Sequence, residues 1–124
     1  MAKKVLVVDD EPDVVTYLST ILRDNGYETV EAANGEEALK QVEAAHPDLI
    51  TLDIAMPEVA GIKAYRSLKD DERTKAIPVV IVTGVAPQFK EYISTRKQVP
   101  PPDGYLEKPI VPEQLLTEVR RLIG

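Results

Sequence analysis

Four short apolar runs, each broken off by a polar residue, constrain this chain more than any other feature. Val5-Leu6-Val7-Val8 ends in Asp9-Asp10, Leu49-Ile50-Thr51-Leu52 ends in Asp53, Val79-Val80-Ile81-Val82 ends in Thr83, and the shorter Tyr105-Leu106-Glu107 runs into Lys108-Pro109. Consecutive apolar, β-branched positions suit strands covered on both faces, the situation of a parallel sheet. If the strands are parallel, their polar ends converge at one edge. The four breaks then read as a single site.

Between these runs the pattern takes on a helical period. Pro12 suits a first helical turn, with Val14, Leu18, Ile21 and Leu22 on one face and Asn25-Gly26 as the stop. Tyr27 to Ala32 predicts a more polar strand nearer an edge. Asn34 as N-cap with Glu37 three residues on is a relative of the capping box. Ala38, Leu39, Val42 and Ala45 make the buried stripe that follows, and His46-Pro47 ends it, with His46 exposed and structural. Gly61 opens a third periodic segment with Ile62, Tyr65 and Leu68 inward, and Ile77 to Val82 is a strand with Pro78 at its start. From Pro87 to Gly104 the pattern weakens to a short helix around Phe89, Tyr92 and Ile93, then an extended loop through Pro100-Pro101-Pro102. Pro112 opens a last helix with Leu115, Leu116, Val119, Leu122 and Ile123 inward.

Five strands alternating with helices imply right-handed crossovers and helices on both sheet faces. In such sheets ligands bind outside the carboxyl ends of the strands. The 124 residues fit one domain, expected over 1–124. A net charge of −6 argues against nucleic acid as a direct partner, because duplex binding depends on Lys and Arg neutralising phosphates. The absence of cysteine excludes disulfides, thiolate metal sites and a cysteine nucleophile. The apolar run after Met1-Ala2-Lys3-Lys4 is too short for a signal peptide or a membrane span, so the expected compartment is the cytoplasm, with no membrane partner.

Each residue at the proposed edge has an ordinary structural reading when taken singly. Asp10 suits a helix cap, Asp53 an Asx-turn before Pro57, Thr83 the turn marked by Gly84, and Lys108 a solvated charge. Jointly that reading weakens, since three carboxylates at one edge repel unless a cation or a lysine neutralises them. Mg²⁺ fits, being held by one or two carboxylates together with a phosphate. A carboxylate can also be a phosphoryl nucleophile, and phosphoryl transfer depends chiefly on positioning and charge neutralisation.

These elements, in this order and spacing, resemble a response-regulator receiver domain of two-component signalling over essentially the whole chain. The matching residues are Asp9-Asp10, Asp53 with Met56-Pro57 and Gly61, Thr83, and Lys108-Pro109. The resemblance implies a flavodoxin-like doubly wound α/β fold, a five-stranded parallel sheet of order 2-1-3-4-5, the arrangement this family itself exemplifies. It implies that Asp53 accepts a phosphoryl group from a phosphohistidine on a sensor histidine kinase or phosphotransfer protein. Mg²⁺ is then ligated by Asp10, Asp53 and the Ala55 backbone carbonyl, with Asp9 acting through metal-bound water. Lys108 neutralises phosphoryl oxygens, and its bond to Pro109 is expected to be cis. Thr83 and Tyr105 form the implied switch, Tyr105 having plain packing as its ordinary alternative, and Tyr17, Tyr27, Tyr65 and Tyr92 are read as packing alone. The output is altered binding to an unspecified protein target by a stand-alone monomer or weak dimer.

Three positions depart from the family pattern or bear on it. Ala55, two residues after the acceptor, is small and leaves the path of attacking water more open, while Gly84 fits the small residue usual after the threonine. The interval from Thr83 to Tyr105 is long and proline-rich, so a short or irregular fourth helix is expected. Two rival readings carry their own tests: an aspartate-nucleophile phosphatase, whose family instead places Asp-x-Asp after the first strand, and a receiver-like binding module that works without phosphorylation. A dinucleotide site lacks the glycine-rich turn after the first strand.

Overall fold

A computed structural model of the protein describes residues 2–53, 69–71, 74–83 and 103–124. The chain runs β1 (Lys4–Val8), α1 (Pro12–Asp24), β2 (Glu28–Ala32), α2 (Gly35–Ala45), β3 (Leu49–Asp53), β4 (Val79–Thr83), β5 (Gly104–Glu107) and α3 (Pro112–Ile123). All pairings are parallel and the strand order is β2-β1-β3-β4-β5, as the resemblance implied. The third periodic segment at Ile62, Tyr65 and Leu68, and the irregular fourth helix with Pro100-Pro101-Pro102, lie outside the described residues.

The unbroken apolar runs form the central strands because both sheet faces are covered. Leu6, Val8, Ala32, Ile50, Leu52 and Ile81 pack toward Ala38 and Val42 of α2. Val5, Val7, Leu49, Val80, Val82 and Leu106 face the other way, against Leu18 and Leu22 of α1 and Leu115 and Val119 of α3. On that second face Thr51 is a buried exception, its hydroxyl without a hydrogen bond among the described residues.

Local signals account for the helix ends. Pro12 and Pro112 occupy the first turns of α1 and α3, where a missing N–H costs nothing. Gly26 follows α1 at φ 90°, a left-handed value that glycine adopts without a Cβ penalty. Asn34 caps α2 by accepting from Glu37 N at 2.9 Å, and Glu37 reaches back to Ala33 N at 2.6 Å, one residue before the position a strict capping box uses. His46 is exposed and ends α2 in a left-handed conformation, φ 50°. On α1 the buried residues are Val15, Leu18, Ser19 and Leu22, with Val14 and Ile21 at the margin of the stripe. Val15 and Ser19 extend the predicted face because α1 lies over both β1 and β2, so its buried arc is wider than one apolar stripe. Ser19 is tolerated there because its hydroxyl donates to Glu31 Oε2 at 2.9 Å.

The far edge of the sheet is tied down by Asp103. Its Oδ2 accepts from Val79 N at 2.9 Å and faces Lys69 Nζ at 3.4 Å, while its carbonyl accepts from Arg121 Nη2 at 2.7 Å. These bonds set where β5 begins relative to β4. The register of β5 then decides where Lys108 emerges at the opposite edge.

Candidate functional site

Strand register carries the acids to one place. The row Val8, Leu52, Ile81 and Tyr105 runs straight across four strands. One residue further along β1 and β3 come Asp9 and Asp53, both almost wholly buried, at 2% and 1% exposure. Asp9 N still donates to Ala32 O at 3.1 Å, prolonging the ladder, and Asp9 Oδ1 accepts from Glu11 N at 2.9 Å. That second bond turns the chain from β1 into α1. Asp10 therefore does not cap the helix: the N-cap is Glu11, which makes no side-chain cap hydrogen bond, and Asp10 is left exposed at the edge.

Lys108 approaches from the end of β5. Its Nζ lies 3.2 Å from Asp53 Oδ2, 3.3 Å from Asp9 Oδ2 and 3.9 Å from Glu11 Oε1. The Lys108–Pro109 peptide is cis. Burial by itself lowers the affinity of the Lys108 amine for its proton; the charges of Asp53 and Asp9 outweigh that and hold its pKa above the ordinary lysine value. Asp9 is pushed the opposite way from most paired carboxylates, up to about 6, chiefly by burial and further by the Asp53 charge, against the Glu11 N–H and the Lys108 ammonium.

One carboxylate oxygen from each of Asp9, Asp10, Glu11 and Asp53 lies within 4.8 Å of the others. Asp9 Oδ2 is buried and makes no hydrogen bond among the described residues. An all-oxygen donor set with unspent acceptor capacity fits Mg²⁺, a hard cation that keeps several of its waters. Glu11 was not anticipated as a member of this group. Its place directly after the acidic pair is the only local signal, and a helix-starting residue is ordinarily read as a solvated charge.

Of the other predicted site residues, Thr83 is described through its backbone, which ends β4 opposite Glu107. Tyr105 is half-buried and packs against the α2-side core. Ala55, Met56, Pro57, Gly61 and Gly84 lie outside the described residues. Tyr17, read from sequence as packing alone, is 45% exposed and donates from its hydroxyl to Ile110 O at 3.1 Å.

A doubly wound sheet of order 2-1-3-4-5, with acids and a lysine gathered at its carboxyl edge, defines the CheY-like class of flavodoxin-type α/β domains. Residues 5–120 match the family described as response regulator receiver domain, and the chain belongs to that family. Phosphorylation and magnesium binding are general to these domains of two-component systems. The polar-differentiation response regulator DivK of Brucella ovis is 34% identical over 124 residues, covering 100% of this chain and 98% of DivK. The alkaline phosphatase synthesis transcriptional regulatory protein PhoP of Bacillus subtilis is 34% identical over 123 residues, 99% of this chain, which spans 49% of PhoP. Among solved structures, the chemotaxis response regulator CheY4 of Vibrio cholerae superposes with a TM-score of 0.84 at 31% identity, covering 99% of this chain and 100% of that one. Among the described residues no helix is long and apolar enough to cross a membrane.

Proposed function

We propose that Asp53 accepts a phosphoryl group from a phosphohistidine of a sensor histidine kinase or a histidine phosphotransfer protein, and that residues 1–124 work as one receiver unit. The observation that carries this reading is the Lys108 ammonium, held 3.2 Å from Asp53 and 3.3 Å from Asp9 at a four-carboxylate edge. A site that only stabilised the fold has little reason to gather more carboxylates than it neutralises.

An Asp53 carboxylate oxygen attacks phosphorus and the P–N bond to the donor imidazole breaks. The electron pair returns to the ring nitrogen, and an acyl phosphate forms on Asp53. The strand backbone holds the nucleophile in place, which supplies the positioning this reaction depends on. Lys108 stays cationic and exchanges its carboxylate partner for a phosphoryl oxygen with little movement. Asp10 and Asp53 would hold Mg²⁺ directly, Asp9 would act through a bound water, and the Ala55 carbonyl would complete the protein ligands. When bound, the ion neutralises charge on the phosphoryl oxygens. Thr83 then draws toward the phosphoryl group and Tyr105 turns inward, altering the surface offered to a downstream protein target. The protein acts as a signalling phospho-acceptor in the cytoplasm and turns over no external substrate.

The test is incubation with Mg²⁺ and acetyl phosphate, or with the cognate kinase, followed by mass measurement. One phosphoryl group on the wild type and none on Asp53→Asn is expected. A wild type that never gains mass with either donor would sink the proposal. Equal target affinity for wild type and Asp53→Ala, with and without donor, would point to a binding module that works without phosphorylation.

A further inference from the structure

α1 touches the Lys108 turn at a second place besides the acidic edge. The Tyr17 hydroxyl donates to the Ile110 carbonyl at 3.1 Å, across 93 residues of sequence. Between α1 and this turn lies a cavity of about 310 Å³ lined by Asp13, Val14, Tyr17, Lys108, Pro109 and Ile110. The hydrogen bond sits at the wall of this open groove. Ile110 itself is buried in the core shared by α1 and α3, two residues beyond Lys108. Pro109 stands between them and fixes its own φ, leaving few soft torsions between the Ile110 peptide and the lysine.

We propose that Tyr17 is a positioning residue for Lys108, its hydroxyl pinning the 108–110 turn to the helix that follows directly on Asp9, Asp10 and Glu11. α1 thereby sets both partners of the Lys108–Asp9 ion pair: Asp9 through the Glu11 N–H at its start, and Lys108 through Tyr17 one turn and a half later. The inference rests on the reading of Asp53 as the phospho-acceptor. A half-exposed phenol contributes little to the fold, so its loss acts on geometry more than on stability. Small displacements of a charge-neutralising group cost rate steeply.

Tyr17→Phe removes the hydroxyl and keeps the ring. The expected result is a phosphorylation rate at saturating acetyl phosphate about three- to tenfold below wild type, with the half-saturating concentrations of donor and Mg²⁺ unchanged. The melting midpoint should stay close to wild type. NMR of the unphosphorylated protein should show the Lys108 side-chain ammonium resonance displaced. An unmoved Lys108 resonance overturns the tether whatever the rates do, and a displaced resonance with wild-type rates overturns its role in transfer. If the wild type accepts no phosphoryl group, the earlier reading fails and the role in transfer falls with it, while the Lys108 resonance still decides the tether by itself.

Discussion

Lys108 Nζ and Asp53 Oδ2 meet at 3.2 Å although 55 residues separate them in the chain. Asp9 Oδ2 lies 3.3 Å from the same nitrogen, so one ammonium serves two buried carboxylates. The pairing leaves a net negative edge, which is the electrostatic condition for binding a cation and then a phosphoryl group. Four predictions follow from this and from the strands that hold it.

Removing the ammonium exposes the cost of that arrangement. Lys108→Ala is expected to destabilise the metal-free protein at neutral pH by about 1–3 kcal/mol, since two buried carboxylates lose their partner. Urea denaturation measures it. Phosphoryl acceptance by the same variant should fall at least about tenfold, and an unimpaired rate would remove Lys108 from the mechanism.

The Asp9 carboxyl sets a pH dependence of definite sign. Its folded pKa is raised to about 6 from an ordinary 3.8, so between those values the folded state binds the proton more tightly than the unfolded chain. The stabilising contribution is complete below the unfolded pKa and is lost as pH rises through about 6. Metal-free stability should therefore fall across this window by up to about 3 kcal/mol from this group. Asp9→Asn should flatten that segment of the profile and be the more stable protein at neutral pH. Denaturation series with an unchanged slope in the variant would contradict it.

Mg²⁺ should raise thermal stability through binding to the folded state alone. At a hundredfold excess over the dissociation constant the gain is about 2.7 kcal/mol. Asp10→Ala and Asp53→Asn should abolish most of it. Exposed Glu11 lies 3.9 Å from Lys108 and is not among the proposed direct ligands, and Glu11→Gln should weaken binding least. Calorimetric titration gives the ranking.

The scaffold should be sensitive in proportion to burial. Leu52→Ala, at a fully buried position beside Asp53, should cost about 2–5 kcal/mol. Asn34→Ala, which removes the α2 cap, should cost about 1 kcal/mol. If the two variants lose equal stability in chemical denaturation, the core assignment of β3 is wrong.

Much of this architecture was legible before any coordinates. The apolar runs became β1, β3 and β4, Pro12 and Pro112 opened helices, Asn34 capped α2 and Gly26 took a left-handed φ. Such features are local, decided by a residue's own torsional limits and by its neighbours within one turn. Strand ends shifted by a residue at Lys4, Glu28 and Gly104, and the strand expected over Ile77 to Val82 runs from Val79 to Thr83, because pairing partners rather than propensity end a ladder. The wider buried face of α1, with Val15 and Ser19, depended on what the helix packs against.

The sequence by itself determined the strand-helix alternation and which residues stand at the strand ends, since period and apolar content follow from the pleat and the helical turn. Tertiary structure alone decided which of them meet. Asp9 spends one oxygen on Glu11 N and turns the other toward Lys108, Glu11 joins the acids, and Tyr17 reaches Ile110. These contacts bridge distant parts of the chain, and only the register of parallel strands and the seating of α1 beside the turn that follows β5 bring those parts together.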